Sequence, residues 1–349
     1  MKKKIKRPSI KDVAREAGVS ISTVSSVINK NKFVSEGREK RVQEAVKKLK
    51  YRPNIIARGL RIKSTRAVGV ILPDIAQPFF AQVIRGMEET ARKRNYTLIL
   101  GCSFYDISEE ERQINILTNQ FVDGIIFFCG FDSHDHIRMV HDSGIPVVVT
   151  DREIGNTHIP SVLIDNSLAM EQAIDYLAGF GHREIGYLSF SINNQTTVRK
   201  RYEGYLSGLK KNGLKFNPEQ VIMDDSIRLN ELSGTYNVVK ELLKKKSMPT
   251  AFVTLADYLA IGLIKALKEM GYRIPEDISV LGFNNEIVCQ FSEPSLTSVK
   301  QPKKLMGKTA MDLLLDMVEG KEIEEKNIIL PTEIIERSSV GPAKIKKKK

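Results

Sequence analysis

The sequence predicts a small all-α head followed by a larger α/β body with two doubly wound parallel-sheet lobes. Two observations carry this prediction: apolar residues recur at helical spacing up to about residue 50, and short apolar strands alternate with amphipathic helices after residue 65. A length of 349 residues is enough for two or three domains of ordinary size. The composition, 42% hydrophobic and 28% charged, is that of a folded protein.

Charge divides the chain at the same place. Residues 1–64 hold 19 Lys or Arg against 5 Asp or Glu, a net charge of +14, whereas residues 65–343 have a net charge of −7. The tail, residues 344–349, holds five lysines, which we interpret as a solvated run. A basic surface as dense as that of the head indicates a polyanionic partner.

The head begins with two short helices. Ser9 and Asp12 have the spacing of a capping box, so we expect a helix to begin there, and Gly18 is expected to end it. Ser20 can cap a second helix, and a third begins near Ser35. Two helices joined by a turn with Gly are typical of a helix-turn-helix. The alternative is a three-helix bundle with no nucleic-acid role.

Short hydroxyl side chains on the second helix can reach base edges and phosphates in a major groove. Together with the charge, they favour duplex DNA as the partner over the plain bundle. We therefore assign DNA contacts to Ser22, Thr23, Ser25 and Ser26. Further DNA-binding candidates of the head are Ser9, Ser20, Ile21 and Asn29.

A short hinge is expected after the head. Pro53 keeps Arg52 out of a helix, and Asn54 can cap a helix of about two turns. So short a helix is marginal alone in water, and Gly59 costs it about 1 kcal/mol. We therefore expect it to fold on binding. The predicted domains are a head (1–52), a hinge (53–64), a body (65–343) and a basic tail (344–349).

The motif over residues 10–20, Thr23-Val24-Ser25 and Asn54-x-x-Ala57-Arg58-x-Leu60 resemble the LacI/GalR family of bacterial transcription regulators. The resemblance continues to about Gly341. It implies that the second helix reads a major groove and that paired hinge helices of a dimer enter the minor groove, where Leu60 wedges open a base step. The implied hinge contacts are Asn54, Ala57, Leu60 and Arg61. Ile21, Ser22 and Ser26 occupy variable reading positions, so the sequence does not reveal the operator bases.

The body is predicted as two series of strands and helices. The first series begins with a strand over 67–72 and a helix over about 79–94, and the second begins near Ser161. Strands that alternate with helices indicate parallel sheets covered on both faces. Ligands of such folds lie at the carboxyl ends of the strands, and a cleft between two lobes is a preferred pocket.

Polar and aromatic residues just after these strands are the candidates for an effector site, and the resemblance implies the same cleft. They are Phe79, Phe80, Asp151, Arg152, Asp165, Gln195, Thr197, Arg201, Asp257 and Asn284. Phe79 and Phe80 could instead pack in the core, and Asp165 could instead cap a helix. Ser226 or Ile227 stands where relatives often have an aromatic residue.

Two departures from the family pattern bear on the ligand. Asn284 stands where relatives often have Asp, and Gln195 stands where some have Arg. An amide lacks the charge that strengthens bonds to sugar hydroxyls. A sugar is the effector that we expect, with a vestigial cleft and control by a partner protein as the alternative.

Other classes of function are disfavoured. The sequence lacks GxxxxGK[ST], GxSxG and HExxH, so we expect no enzyme and no cofactor. The histidines at 134, 136 and 141 are interpreted as a solvated cluster rather than a metal site. Three scattered cysteines favour a reducing cytoplasm, and no run is long enough for a membrane span.

Two expectations concern assembly and the main competing class. A solute-binding receptor of the periplasmic type would share the two-lobed body, but we expect it to have a secretion signal and no basic head. The tail lacks leucine heptads, and operators with two half-sites need two heads, so a homodimer is expected.

Overall fold

The computed structural model describes residues 8–29, 32–51, 64–128, 134–155, 158–191, 195–224, 226–227, 232–244 and 248–344. The chain divides into two compact units, Met1–Thr65 and Arg66–Lys349. The predicted hinge contacts Asn54, Ala57, Leu60 and Arg61, and most of the basic tail, lie outside the described residues.

The head contains three helices: α1 (Ile10–Ala17), α2 (Ile21–Asn29) and α3 (Glu36–Leu49). The predicted capping box is present, because the side chain of Ser9 accepts from Asp12 N and that of Asp12 accepts from Ser9 N. Gly18 ends α1 with φ at 63°, in the left-handed region that glycine favours. The three helices bury one small apolar core: Val13, Ala14, Ala17, Val24, Val42 and Ala45.

The first lobe of the body has a six-stranded parallel sheet in the order β11-β5-β4-β3-β1-β2. Its strands are β1 (Ala67–Leu72), β2 (Thr97–Cys102), β3 (Ile125–Phe127), β4 (Val147–Thr150), β5 (Ser161–Ile164) and β11 (Asn327–Leu330). Its helices are α4 (Pro78–Lys93), α5 (Ile107–Asn119), α6 (Asp135–Asp142) and α11 (Lys303–Val318). We call this part of the body the N-lobe.

The second lobe, the C-lobe, has a six-stranded sheet in the order β12-β10-β9-β8-β6-β7, in which the edge strand β12 is antiparallel. Its strands are β6 (Ile185–Ser189), β7 (Val221–Met223), β8 (Ala251–Thr254), β9 (Ser279–Asn284), β10 (Thr297–Lys300) and β12 (Glu333–Ile335). Its helices are α7 (Asn166–Gly179), α8 (Thr196–Lys211), α9 (Leu232–Leu243) and α10 (Asp257–Glu269).

The two-lobed α/β prediction is confirmed, but the expected start of the second lobe is wrong. β5 pairs with β4 through Ser161 opposite Val149, so it belongs to the N-lobe sheet. The chain crosses between the lobes after β5, after β10 and again between β11 and β12. An apolar strand carries no local signal for the sheet that it joins, and this is why the order of strands along the chain misassigned β5.

No helix of the described residues is both long enough and apolar enough to span a bilayer.

The N-lobe depends on a close contact between α4 and α11. A Cβ added at Gly307 would lie 1.9 Å from the carbonyl oxygen of Val83, and one added at Gly86 would lie 2.2 Å from that of Lys304. These neighbours are backbone atoms, which cannot move aside as a flexible side chain can. The two glycines therefore set the distance between the helices.

Substituting Gly307→Ala should destabilise the body by about 1–3 kcal/mol, because the added methyl group forces the two helices apart. Thermal unfolding of the full chain measures the change. Gly179→Ala is the matched control, since a Cβ there meets no atom within 4 Å. Equal melting temperatures for the two variants would contradict this account of the helix contact.

Candidate DNA-binding surface and interlobe cleft

The start of α2 presents hydroxyl groups to solvent. Ser20 Oγ lies 2.7 Å from Ser22 Oγ and 2.9 Å from Thr23 Oγ1, and it accepts from Thr23 N at 3.1 Å. Ile21 and Ser22 are exposed, whereas Val24 is fully buried in the head core. Burial of Val24 thus fixes which face of α2 packs inward, and the hydroxyl-bearing start of the helix is left on the surface.

Three of the predicted contact residues also have structural bonds within the head. Ser9 caps α1. The amide nitrogen of Asn29 donates to the carbonyl oxygen of Ser25 at 2.7 Å, so these two half-buried residues close the end of α2. Ser26 is half-buried. Contact with DNA remains a prediction for each of them.

In the body, an open cavity lies between the two lobes at the carboxyl ends of their strands, which is where ligands of such folds bind. Its walls combine aromatic rings, amides and hydroxyls: Gln77, Phe79, Phe80, Tyr105, Asp151, Phe190, Gln195, Thr197, Val198, Arg201, Leu255, Ala256, Asn284 and Gln301.

Seven of the predicted effector residues line this cavity: Phe79, Phe80, Asp151, Gln195, Thr197, Arg201 and Asn284. The other lining residues were not singled out by sequence, although most obey the same rule. Tyr105 follows β2, Phe190 follows β6, Leu255 follows β8 and Gln301 follows β10. A position shortly after a strand is therefore the sequence signal that could have identified them.

Two predicted residues bind within their own loops instead of lining the cavity. Asp165 accepts from Leu168 N at 2.8 Å and caps α7, which is the alternative role expected for it. Ser226 lies in a turn, where its backbone nitrogen donates to Asp224 Oδ1 at 2.9 Å, and its neighbour Ile227 is buried. Ser226 Oγ also donates to Asp224 Oδ1, so local capping and turn bonds use both side chains.

Asp257 is also absent from the cavity wall. It is fully buried at the start of α10, where Oδ1 accepts from Ser298 Oγ at 2.5 Å and Oδ2 accepts from Glu286 N at 2.7 Å. Burial raises the pKa of Asp257 to about 7, and the two hydrogen bonds oppose that rise only in part. These bonds join Asp257 to the segment that follows β9 and to β10.

Arg152 points away from the cavity into the N-lobe. Its Nη1 donates to Glu110 Oε1 at 2.7 Å, and His136 Nε2 lies 2.7 Å from the same oxygen. All three side chains are buried. Burial alone would raise the pKa of Glu110, but the hydrogen bonds from His136 and Arg152 and their charges outweigh it and hold the pKa below 4.5. This cluster anchors the segment that carries Asp151.

Two polar groups of the cavity are held by neighbours. Arg201 donates from Nε to Asn166 Oδ1 and from Nη1 to the carbonyl oxygen of Leu255, each at 2.8 Å, and its guanidinium lies 3.9 Å from the centre of the Phe283 ring. These bonds fix its plane. Gln301 Nε2 donates to Asn284 Oδ1 at 2.7 Å.

One oxygen of that amide pair has no hydrogen-bond donor among the described residues. Gln301 is buried, and its Oε1 accepts no hydrogen bond from the described residues. A buried acceptor without a donor is costly, so a ligand that supplies an N–H or O–H gains binding energy there. No group of three or more His, Cys, Asp or Glu suited to a metal ion occurs in the described part of the chain.

Substituting Glu110→Gln should destabilise the body by about 3 kcal/mol, because the buried guanidinium of Arg152 loses its counter-charge. The pKa of Glu110 is lowered on folding, so its contribution to stability is present above about pH 4.5 and is lost as the pH falls through the folded pKa. Thermal unfolding from pH 7 down to about pH 3 should therefore show a constant difference between variant and wild type above about pH 4.5 and a smaller difference below it.

Glu111→Gln is the control for this prediction, since Glu111 is the exposed neighbour on α5. Its melting curve should follow that of the wild type at each pH. A difference for Glu110→Gln that stays constant from about pH 4.5 down to about pH 3 would contradict the assignment of a buried ionised carboxylate.

Comparisons with known proteins agree with this architecture. Residues 9–54 match the model described as bacterial regulatory proteins, lacI family, and residues 174–340 match a periplasmic binding protein-like domain. The chain is 35% identical over 331 residues to the HTH-type transcriptional regulator RegA of Clostridium saccharobutylicum, a match that covers 95% of this chain and 98% of RegA.

Solved structures show the same fold over nearly the whole chain. The lac repressor dimer bound to operator and the anti-inducer ONPF has a TM-score of 0.84 at 25% identity, covering 96% of this chain and 100% of that one. The CelR–cellobiose complex has a TM-score of 0.71 at 28% identity, covering 95% and 100%. The chain therefore belongs to the lacI family of bacterial regulatory proteins, and it is a DNA-binding transcription regulator rather than an enzyme.

Proposed function

We propose that this regulator is a repressor that binds a pseudo-palindromic operator as a homodimer and is controlled by a neutral sugar in the interlobe cleft. The observation that carries the DNA part is the hydroxyl cluster of Ser20, Ser22 and Thr23 at the start of α2, in the head of a chain whose residues 1–64 have a net charge of +14. Positive charge supplies affinity through phosphates, and short hydroxyls at a helix start can supply base contacts.

Exposed apolar side chains of the C-lobe support the proposal of a dimer. Ile287 is 65% exposed and Phe291 is 79% exposed, and a groove beside Ser292 is lined by Ile261 and Ile264 of α10. Large apolar side chains exposed together are typical of an association surface. A dimer with a twofold axis would bring two heads to two half-sites, and the similar lac repressor was solved as a dimer bound to its operator.

In this proposal the hinge makes a second set of DNA contacts, in addition to those of α2. Leu60 is the wedge that the family resemblance implies, with Asn54, Ala57 and Arg61 beside it in the minor groove. Inserting a leucine between base pairs costs a few kcal/mol of unstacking. Extra contacts between the protein and the bent duplex offset that cost. The hinge thus contributes only to the bent, specific complex.

The chemistry of the cleft supports a sugar. Its amides and hydroxyls can bond to several ligand hydroxyls, and Phe79 and Phe190 offer apolar ring faces. Asp151 and Arg201 are the charged residues among the described lining, and their charges cancel. A phosphosugar would bring further negative charge without a further cation to balance it. The solved complex of the similar protein CelR contains cellobiose.

Leu60→Ser should weaken binding to the specific operator on the order of 100-fold while leaving binding to sheared DNA nearly unchanged, since only the bent complex buries the wedge. Titrations of the full chain at several salt concentrations measure both affinities. Leu206→Ser, in the C-lobe, is the control and should change neither. An equal loss on both DNAs would count against wedge insertion, and a flat salt dependence would count against DNA binding itself.

A neutral sugar should raise the melting temperature of the body, because a ligand at 100 times its Kd stabilises the folded state by about 2.7 kcal/mol. A thermal-shift screen of sugars, phosphosugars, nucleobases and nucleosides tests this. Gln301→Ala should reduce the shift through loss of the acceptor. Shifts from nucleosides or phosphosugars alone would show that the ligand belongs to one of those classes and is not a neutral sugar. No shift at all would favour a vestigial cleft with control by a partner protein.

A further inference from the structure

Lys303 lies where the chain passes from the C-lobe to the N-lobe. It is the first residue of α11, which packs in the N-lobe, and it follows Gln301 and Pro302 directly after β10. From this position its Nζ reaches back to the C-lobe. It donates to the carbonyl oxygens of Asn284 at 2.6 Å and Asn285 at 3.1 Å, and to Glu286 Oε1 at 3.1 Å.

The bonds of the Lys303 ammonium group form where little water can reach them. The side chains of Lys303 and Glu286 are only 11% and 4% exposed. Water therefore screens their attraction little, and either charge would be costly without the other. Burial raises the pKa of Glu286, and the nearby charge of Lys303 limits that rise.

The segment that Lys303 holds has an unfavourable backbone. Asn284 has φ at 107° and Asn285 has φ at 52°, both in the left-handed half of φ space that residues other than glycine rarely adopt. Such a turn persists when its surroundings over-determine it. Asn285 N donates to Ser298 Oγ at 3.0 Å, and Glu286 N donates to Asp257. Lys303 adds the only described bonds to this turn from an N-lobe helix.

The same turn carries a cleft residue. Asn284 lines the interlobe cavity and accepts from Gln301, which lies two residues before Lys303 and also lines the cavity. Neither Lys303 nor Glu286 lines it. Lys303 thus bonds to the backbone of a cavity residue without lining the cavity itself.

We infer that Lys303 is a positioning residue for effector recognition: from the first turn of α11 it ties the two lobes together at the end of β9 and holds Asn284 and Gln301 in their arrangement in the cleft. The part that concerns the effector rests on the proposed function. The tie itself concerns the protein alone, so it can be tested without a ligand.

Lys304 is a natural control. It is the next residue on α11 and has the same charge, but its side chain is 48% exposed and pairs with Glu89 of α4 at 2.6 Å, within the N-lobe. Lys304→Met therefore removes a lysine from the same helix turn without touching the segment at 284–286. A general effect of lost positive charge would appear equally in both variants.

The experiment compares amide hydrogen exchange in the full-length wild type, K303M, K303R, K304M and the double variant K303M/E286Q. The double variant removes the carboxylate that K303M would strand, so it separates the cost of an unpaired buried charge from the loss of positioning. In both K303M variants, exchange at residues 285–287 should rise on the order of 10-fold, because local opening becomes easier. K304M should match the wild type, and K303R should restore most of the protection.

A second measurement reads the cleft. Thermal-shift titrations with glucose, galactose, maltose and cellobiose give the midpoint for each sugar that stabilises the wild type, that is, the sugar concentration at which half of the stabilisation is reached. In K303M/E286Q that midpoint should rise on the order of 10-fold even where the melting temperature without sugar has recovered, since binding then has to order the amide pair. K304M should keep the wild-type midpoint.

The outcomes are distinct. Exchange in K303M/E286Q equal to that in K304M would overturn the tie between the lobes. Increased exchange with an unchanged sugar midpoint would overturn the positioning role. If none of these sugars stabilises the wild type, the sugar proposal loses support, while the exchange comparison still decides whether Lys303 holds the turn.

Discussion

The body depends on the way in which its chain passes repeatedly between two sheets whose strands are parallel except for the edge strand β12. Parallel strands end at a common edge, and here the edges of the two sheets face one cavity. The crossing after β10 places Gln301 in the cavity and Lys303 beside it. Gln301 therefore lies both in a crossing between the lobes and in the wall of the cavity.

The polar groups of the cavity are organised by bonds to buried partners. Arg201 is held by an amide and a carbonyl oxygen, and the segment of Asp151 is anchored through the Glu110–Arg152 pair. Such bonds fix side chains before any ligand arrives, which lowers the entropy that binding has to overcome. Coupling to DNA requires that the ligand bind two states of the body with different affinity.

Local patterns predicted most of the elements. The capping box at Ser9 and the end of α1 at Gly18 follow from interactions within a few residues, and the structure contains both. The rule that sites follow strands also found much of the cleft, including Asn284 and Arg201. The same rule included Asp257 and Arg152, whose side chains turn inward to buried partners that are distant in sequence.

The sequence by itself determined the division of charge, the helix-turn-helix spacing and the α/β class, because each depends on composition or on periodicity along the chain. The tertiary structure alone decided that β5 joins the N-lobe sheet, that Asp257 is buried and bonded to Glu286 N, and that Lys303 of α11 bonds to the end of β9. These features depend on which distant segments meet, and strand pairing and buried charge are settled only when the two sheets have packed.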